Sequence, residues 1–206
     1  MNMNLRNEEL VTSSVLLNKI KNVDDQPAWD RFYAFYCPLI IGFCKQKGCT
    51  DDMAFDVLQE SMVTLIRVMP KFDYNPDRGN FRSYLLKIVE RRLLDTVKRN
   101  RLLQNASPTA KTEFFNQLED PGAKDFRSEW DQLWDQNLIT FALERVKEKI
   151  NRVTFCSFQM YALENKQAEV VAKMLNLNKN TVFQHKNRVI RLLKQEVEKL
   201  KQDLGE

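Results

Sequence analysis

The sequence predicts an all-α protein made of two small helical domains joined by a linker. Apolar side chains recur at steps of three and four residues in several separate segments, which is the pattern of helices with one buried face. The chain has 206 residues, of which 43% are hydrophobic and 29% charged, as in soluble globular proteins. Its charges are segregated along the chain, which indicates two modules rather than one.

Two basic segments flank an acidic one. Lys71–Arg101 and Glu164–Lys201 each hold nine basic and four acidic residues, whereas Lys111–Asp135 holds three basic and seven acidic residues. We therefore place the domains at residues 1–104 and 137–206, with an acidic linker at 105–136. Basic faces attract polyanions by releasing counterions, so nucleic acid is the predicted partner, although a single basic segment is more often only a solvated face.

Two helices with apolar stripes open the first domain. Pro38 lies within the first helix and predicts a kink or a break there. The second helix has Asp51 or Asp52 as its natural N-cap and stops at Pro70. The two stripes are formed by Trp29, Phe32, Tyr33, Tyr36, Ile40 and Phe43, and by Phe55, Leu58, Met62, Leu65 and Met69.

A loop and a basic helix follow. The segment Phe72–Asn80 is dense in turn-forming residues and predicts a loop. The helix after it is amphipathic, with an apolar stripe formed by Leu86, Val89, Leu93 and Val97. Its other side is basic and carries Lys87, Arg91, Lys98 and Arg99. The acidic linker then begins with a turn signal at Asn105–Thr109 and contains a short helical piece around Trp130–Trp134.

The last module contains a short helix at Ala168–Leu175 and a longer one at Thr181–Leu200, joined by a short turn. Within the turn, Asn176 can adopt the left-handed conformation, Leu177 can wedge into the core and Asn178 can cap the second helix. The predicted core is formed by Ala172, Leu175, Leu177, Val182 and Val189. This pattern favours a helix-turn-helix that reads the major groove of DNA, while an ordinary helical hairpin stays open.

Several classes of enzyme lack their usual residues. The 5 glycines are scattered singly, so the chain has no phosphate-binding glycine loop, and His185 is the only histidine. The cysteines have no CxxC spacing and no nearby histidine, so we expect buried reduced thiols rather than a zinc site or a disulfide framework. We expect no enzyme activity, metal or cofactor. No segment is apolar enough for a membrane span, and the opening Met1–Leu10 lacks a signal-peptide layout, which predicts a cytoplasmic protein.

Three motifs occur at Ala54–Glu60, Phe72–Leu85 and Asn180–Val189, in that order. Together they resemble the extracytoplasmic-function (ECF) type of bacterial RNA polymerase sigma factor in the sigma-70 superfamily. Ala54–Glu60 is similar to the polymerase-binding helix, and Phe72–Leu85 is similar to the loop and helix that melt and read the −10 element. Asn180–Val189 is similar to the helix that recognises the −35 element. The resemblance implies a sigma region 2 helical bundle at 1–104 and a sigma region 4 helix-turn-helix at 137–206.

The resemblance also implies partners and site residues. Asp56, Gln59 and Glu60 would bind core RNA polymerase, whose β′ clamp helices and β flap are the expected contacts. The −10 element would be bound by Asn80, Phe81, Arg82, Tyr84, Lys87 and Arg91. The −35 element would be bound by Asn180, Thr181, Gln184, His185, Lys186 and Arg188. An anti-sigma factor that covers both modules is a further possible partner.

The chain departs from the family pattern at several of these positions. Tyr84 stands where tryptophan is common, and Glu90 and Arg91 stand where arginine and asparagine are common. Asn165 and Asn176 replace the glycines usual at helix ends, which asparagine can do because it adopts left-handed backbone conformations. The alternative function is a helix-turn-helix regulator that binds DNA without polymerase, but it leaves Asp56–Glu60 and the aromatic loop without a role.

Overall fold

Every element in the described residues is helical, which confirms the predicted all-α fold. The computed structural model describes residues 15–73, 79–103 and 126–204. The helices are α1 Val15–Lys19, α2 Gln26–Gln46, α3 Asp51–Val68, α4 Phe81–Leu103, α5 Phe126–Lys149, α6 Arg152–Phe158, α7 Ala168–Leu175 and α8 Lys179–Asp203. A 3₁₀ turn at Met69–Lys71 and a π-helical turn at Gln159–Leu163 complete the described elements.

The chain divides into two compact units. The N-terminal unit comprises residues 1–137 together with 202–206, and the C-terminal unit comprises residues 138–201. Residues 74–78 of the predicted loop and residues 105–125 of the predicted linker lie outside the described residues. Among the described helices, none combines the length and the apolar character that crossing a membrane requires.

Helix α2 forms the centre of the N-terminal unit. Asp25 caps it, because the Asp25 carboxylate accepts a hydrogen bond from the Ala28 N–H at 3.1 Å. Pro38 does not break the helix, since α2 continues to Gln46, and the alternative of a kink stays a prediction. Pro38 and Ala34 are both exposed, so the Ala34 carbonyl that loses its helical partner at Pro38 can be hydrated instead.

The buried face of α2 is broader than the predicted stripe. Tyr33 was placed in the stripe but is 45% exposed, whereas Phe35 and Leu39 are buried. The breadth follows from the number of neighbours, because α2 packs against α3 and also contacts aromatic rings of α4 and α5. A single-stripe pattern describes a helix with one neighbour better than a helix that is surrounded.

The N-cap of helix α3 lies one or two residues before the predicted Asp51 or Asp52. Its N-cap is Thr50, whose Oγ1 accepts a hydrogen bond from the Met53 N–H at 3.3 Å. Asp51 and Asp52 instead occupy the first turn, where carboxylates interact favourably with the helix dipole. Phe55 was also predicted to be buried, but 51% of its surface is exposed.

Part of the predicted acidic linker is a packed helix. The first half of α5, residues 126–137, belongs to the N-terminal unit, and its Trp130 and Trp134 side chains are buried. The Trp130 ring lies 5.2 Å from the ring of Phe43, and the Trp134 ring lies 5.1 Å from that of Phe35. The two tryptophans are four residues apart and therefore share one helix face, while the acidic residues that suggested a tether lie around them.

The C-terminal unit has two small hydrophobic clusters. Ala172 and Val182 lie in the first, as predicted, together with Ala168 and Val171. Val189 is buried but belongs to the second cluster. The second cluster is completed by Val146 and Phe158. The predicted core residues Leu175 and Leu177 are only half-buried.

Candidate functional site

A cavity of about 630 Å³ lies between the end of α3 and the start of α4. Three of the predicted −10 residues line the cavity and have solvent-accessible surface, namely Asn80, Tyr84 and Lys87. Asn80 is also the N-terminal cap of α4, since its Oδ1 accepts a hydrogen bond from the Ser83 N–H at 3.0 Å. The cap therefore fixes the direction in which α4 leaves the cavity.

One wall of the cavity is aromatic. The Phe72 and Tyr84 rings both line it, with their centroids 4.8 Å apart. Burial raises the pKa of Tyr84 above its ordinary value, so its hydroxyl stays protonated and can donate a hydrogen bond. An aromatic wall beside amide and hydroxyl groups is the combination that holds an unstacked nucleobase.

Three cationic side chains and one carboxylate line the same cavity. Arg67, Lys71 and Lys87 supply the positive charge, and Asp73 supplies the negative charge. Arg67 and Lys71 were not predicted to belong to the site, because they precede the motif Phe72–Leu85, and Phe72 was not singled out within that motif. Their position follows from the pairing of α3 with α4, which brings the end of one helix beside the start of the other.

Phe81 does not have the predicted role. Its side chain reaches the cavity floor, but none of its surface is accessible to solvent. Its ring packs against Phe32, Tyr36 and Phe72 at centroid distances of 5.8–5.9 Å. The prediction that Phe81 binds the −10 element is therefore corrected: Phe81 is a core residue that supports the ring of its neighbour Phe72.

Arg82 is also directed into the protein. Its guanidinium lies 5.3 Å from the centroid of the Trp134 ring, and its Nε lies 3.4 Å from Asp131 Oδ1. The Arg82 side chain is 19% exposed. Both partners lie on the first half of α5, so Arg82 connects α4 to α5 rather than facing solvent. Arg91 is exposed on α4, one helical turn beyond Lys87.

The predicted polymerase-binding residues lie on the outer side of α3. Asp56 and Gln59 are exposed, and Glu60 is half-buried. Arg99 of α4 reaches both carboxylates, with its Nη1 2.7 Å from Glu60 Oε1 and its Nη2 3.5 Å from Asp56 Oδ2. The hydrogen bond to Glu60 raises the pKa of Arg99 above its ordinary value. Two like charges one helical turn apart are thus held together by a cation from another helix.

Apolar side chains accompany these polar ones on α3. Phe55, Val63 and Ile66 are 51%, 46% and 44% exposed. A shallow groove of about 290 Å³ continues from Met62 and Ile66 to Tyr33 on α2. A cluster of partly exposed apolar residues beside hydrogen-bonding groups is typical of a protein-binding surface. The sequence did not predict this surface, because the helical period assigned Phe55 and Met62 to the core.

The turn in the C-terminal unit matches the predicted geometry. Asn176 has φ 52° and ψ 50°, which confirms the left-handed conformation, and Asn165 has φ 52° as well. The Leu177 N–H donates to the Ala172 carbonyl at 2.8 Å, which closes the end of α7. Asn178 caps α8, since its Oδ1 accepts a hydrogen bond from the Thr181 N–H at 2.7 Å. These predictions could succeed from sequence because every contact is local.

The predicted −35 residues occupy the first three turns of α8, and three of them face solvent. Asn180, Gln184 and Arg188 are exposed. The Thr181 hydroxyl donates to Asn178 Oδ1 at 2.9 Å, so it belongs to the cap. The Lys186 ammonium lies 5.4 Å from the centroid of the Tyr161 ring, which restrains its direction.

His185 differs from the other predicted −35 residues. Its Nδ1 is buried, and no hydrogen-bond partner for it lies among the described residues. Burial, together with the nearby Arg188 cation, lowers the pKa of His185 below its ordinary value. The ring is therefore neutral at pH 7 and does not contribute a positive charge to this surface.

Residues 32–102 match the family model for Sigma-70 region 2. The match supports membership of the sigma-70 family. It begins in α2 and ends in α4, so it includes the cavity and the outer side of α3, and it covers about one third of the chain. A sigma-70 region 2 implies an RNA polymerase sigma factor that takes part in promoter recognition and melting. No curated protein matches the sequence.

The same match implies binding to core RNA polymerase and to promoter DNA. The C-terminal unit lies outside the matched residues. In the parts of the chain that the structure describes, no three potential metal ligands come together.

Proposed function

We propose that the protein is a sigma factor of the ECF type, which binds core RNA polymerase and directs it to promoters with defined −10 and −35 elements. It acts by binding and does not catalyse a reaction itself. The observation that carries the proposal is the position of the cationic, aromatic cavity within the residues that match Sigma-70 region 2.

The cavity would hold one base extruded from the non-template strand of the −10 element. Unstacking a base costs a few kcal/mol, and stacking on an aromatic side chain returns about 1–3 kcal/mol. Tyr84 and Phe72 offer the aromatic wall, and Asn80 offers amide groups for the base edge. Arg67, Lys71 and Lys87 would hold the backbone of the extruded strand, so the melted state is stabilised once polymerase also grips the DNA.

The outer side of α3 would bind the clamp helices of the polymerase β′ subunit. Asp56, Gln59 and Glu60 would accept and donate hydrogen bonds there, and the exposed Phe55 and Ile66 would be covered by apolar side chains of the partner. An anti-sigma factor that covered the same surface would exclude the polymerase.

The C-terminal unit would recognise the −35 element through the start of α8. Asn180, Gln184 and Arg188 present amide and guanidinium groups that can bond base edges in the major groove. The capped, left-handed turn before α8 supports this proposal, because it sets the angle between the two helices of a helix-turn-helix. The β flap of the polymerase is the expected second contact of this unit.

The test is transcription from a fragmented genomic library by bacterial core RNA polymerase, with and without the protein. We expect new start sites that share two spaced upstream motifs. Gln59→Arg should abolish these starts, because Gln59 is exposed in the proposed polymerase surface. The matched control is Gln132→Arg, a similar exposed position on α5, which should leave them unchanged.

Other outcomes would contradict the proposal. If the protein binds duplex promoter DNA equally well with and without core polymerase and yields no new starts, it is a stand-alone helix-turn-helix regulator. If Gln59→Arg and Gln132→Arg behave alike in polymerase binding, the α3 surface is not the polymerase contact. Circular dichroism of both variants separates loss of binding from loss of folding.

A further inference from the structure

Two buried cysteines lie at the junction between α2 and α3. Cys44 is in the last turns of α2 and has no exposed surface, while Cys49 lies in the connection and is 8% exposed. Gly48 turns the chain back with φ 79°, and the Cys49 N–H donates to the Cys44 carbonyl at 3.0 Å. This backbone hydrogen bond holds Cys44 and Cys49 next to each other, as a disulfide between them requires.

The two thiols also differ in acidity. The interaction of each thiol with the other raises the pKa of Cys44, which is also buried, and lowers the pKa of Cys49. Cys49 is therefore the better nucleophile of the pair, and Cys44 is positioned to attack it next. The other two cysteines, Cys37 and Cys156, are half-buried, and neither belongs to this contact.

We propose that Cys44 and Cys49 form a redox-sensitive dithiol, which a small peroxide converts to a reversible intramolecular disulfide. None of the residues assigned to polymerase or DNA takes part in this pair, so the inference goes beyond the proposed function and does not depend on it. An oxidant close to the size of water suits the pair, because the small exposed part of Cys49 admits no larger reagent.

The chemistry proceeds in two steps. The Cys49 thiolate attacks one oxygen of hydrogen peroxide, the O–O bond breaks, and the departing hydroxide takes a proton to become water. The Cys44 sulfur then attacks the sulfur of the Cys49 sulfenic acid, the S–S bond forms and the S–O bond breaks. The proton of the Cys44 thiol leaves with that oxygen as a second water. Two thiols are oxidised, and one peroxide is reduced to two waters.

The full chain is treated with hydrogen peroxide under native conditions, unfolded in denaturant so that the buried thiols become accessible, alkylated and then mapped by its peptides, which tests the proposal. Trypsin cuts after Lys45 and Lys47, so the disulfide joins two peptides that are otherwise separate. Cys37 shares a tryptic peptide with Cys44, and the variant Cys37→Ser removes that ambiguity. In the wild-type chain we expect reactive thiols to fall from four to about two, with recovery after dithiothreitol.

Variants complete the design. Cys49→Ser and Cys44→Ser should each abolish the cross-linked peptide, whereas Cys156→Ser should leave it unchanged. Fragmentation of the cross-linked wild-type peptide in a mass spectrometer also distinguishes Cys37 from Cys44, so a variant that fails to fold does not prevent the test. Reduced Cys44 and Cys49 beside oxidised Cys37 or Cys156, or a disulfide that joins any other pair, would overturn the proposal.

Discussion

The two units use their candidate binding residues in different ways. In the C-terminal unit, Asn180, Gln184 and Arg188 point to solvent from one helix whose start is fixed by a local cap. In the N-terminal unit, Arg82 is held by α5, and the Asp56 and Glu60 carboxylates are held by Arg99 of α4. When one helix presents a site, its polar side chains remain exposed and can bind a partner. When several helices form a site, some of its polar side chains pair with a neighbouring helix instead.

The largest expected effect is on the packing of α5 against the N-terminal unit. Trp130→Ala should destabilise that unit by about 3–5 kcal/mol, because the indole is fully buried among aromatic rings. Denaturant unfolding monitored by circular dichroism measures the change. Gln132→Ala, an exposed position on the same helix, is the control and should stay near the wild-type stability. Equal stability of both variants would show that residues 126–137 are a tether after all.

The next effect concerns the exposed face of α8. Arg188→Ala should reduce discrimination between a −35 sequence and its single-base variants by about 1–3 kcal/mol at the contacted position, if the guanidinium bonds a base edge. The measurement is the affinity of the polymerase holoenzyme for a series of promoter variants at fixed salt. An equal loss on every sequence would instead make Arg188 a phosphate contact.

A smaller effect is expected for Arg82. Substituting this residue tests whether its side chain stabilises the fold or binds DNA. Arg82→Gln should destabilise the N-terminal unit by about 1–2 kcal/mol, because the cation over Trp134 and the charge opposite Asp131 are lost. It should leave the salt dependence of promoter binding unchanged.

Lys87→Gln, at the exposed edge of the cavity, should reduce the slope of log affinity against log salt by about one. A similar reduction for Arg82→Gln would place Arg82 on a phosphate.

The smallest effect is a pH dependence at His185. Burial lowers the pKa of His185 in the folded chain, whereas in the unfolded chain it is about 6.5. The unfolded state therefore binds the proton first, so the free energy of unfolding should fall as pH drops from about 6.5 towards the folded pKa. His185→Gln should remove this part of the dependence. Hydrogen exchange in α8 at several pH values measures it, and an NMR titration of the ring that shows a raised pKa would contradict it.

The sequence by itself determined what depends on neighbouring residues. Helical periodicity defined the all-α class, and the residues around Asn176 determined the left-handed turn and the cap at Asn178. The predicted loop at Phe72–Asn80 placed the start of α4, and three of the −10 residues that the family resemblance implied line the cavity with exposed surface. These features are local because a helix and its cap are made by residues that are at most four positions apart.

Only the tertiary structure decided which of these residues remain exposed and can bind a partner. Phe81 and Arg82 directly follow the cavity residue Asn80 in the sequence. Phe81 is covered by α2, and Arg82 is covered by α5, which begins more than forty residues further along the chain. The same packing placed Arg67 and Lys71 of the preceding segment in the site and left Phe55 exposed. The burial of a residue depends on all the helices that surround it. The apolar period of one helix indicates only which of its faces is directed towards the core.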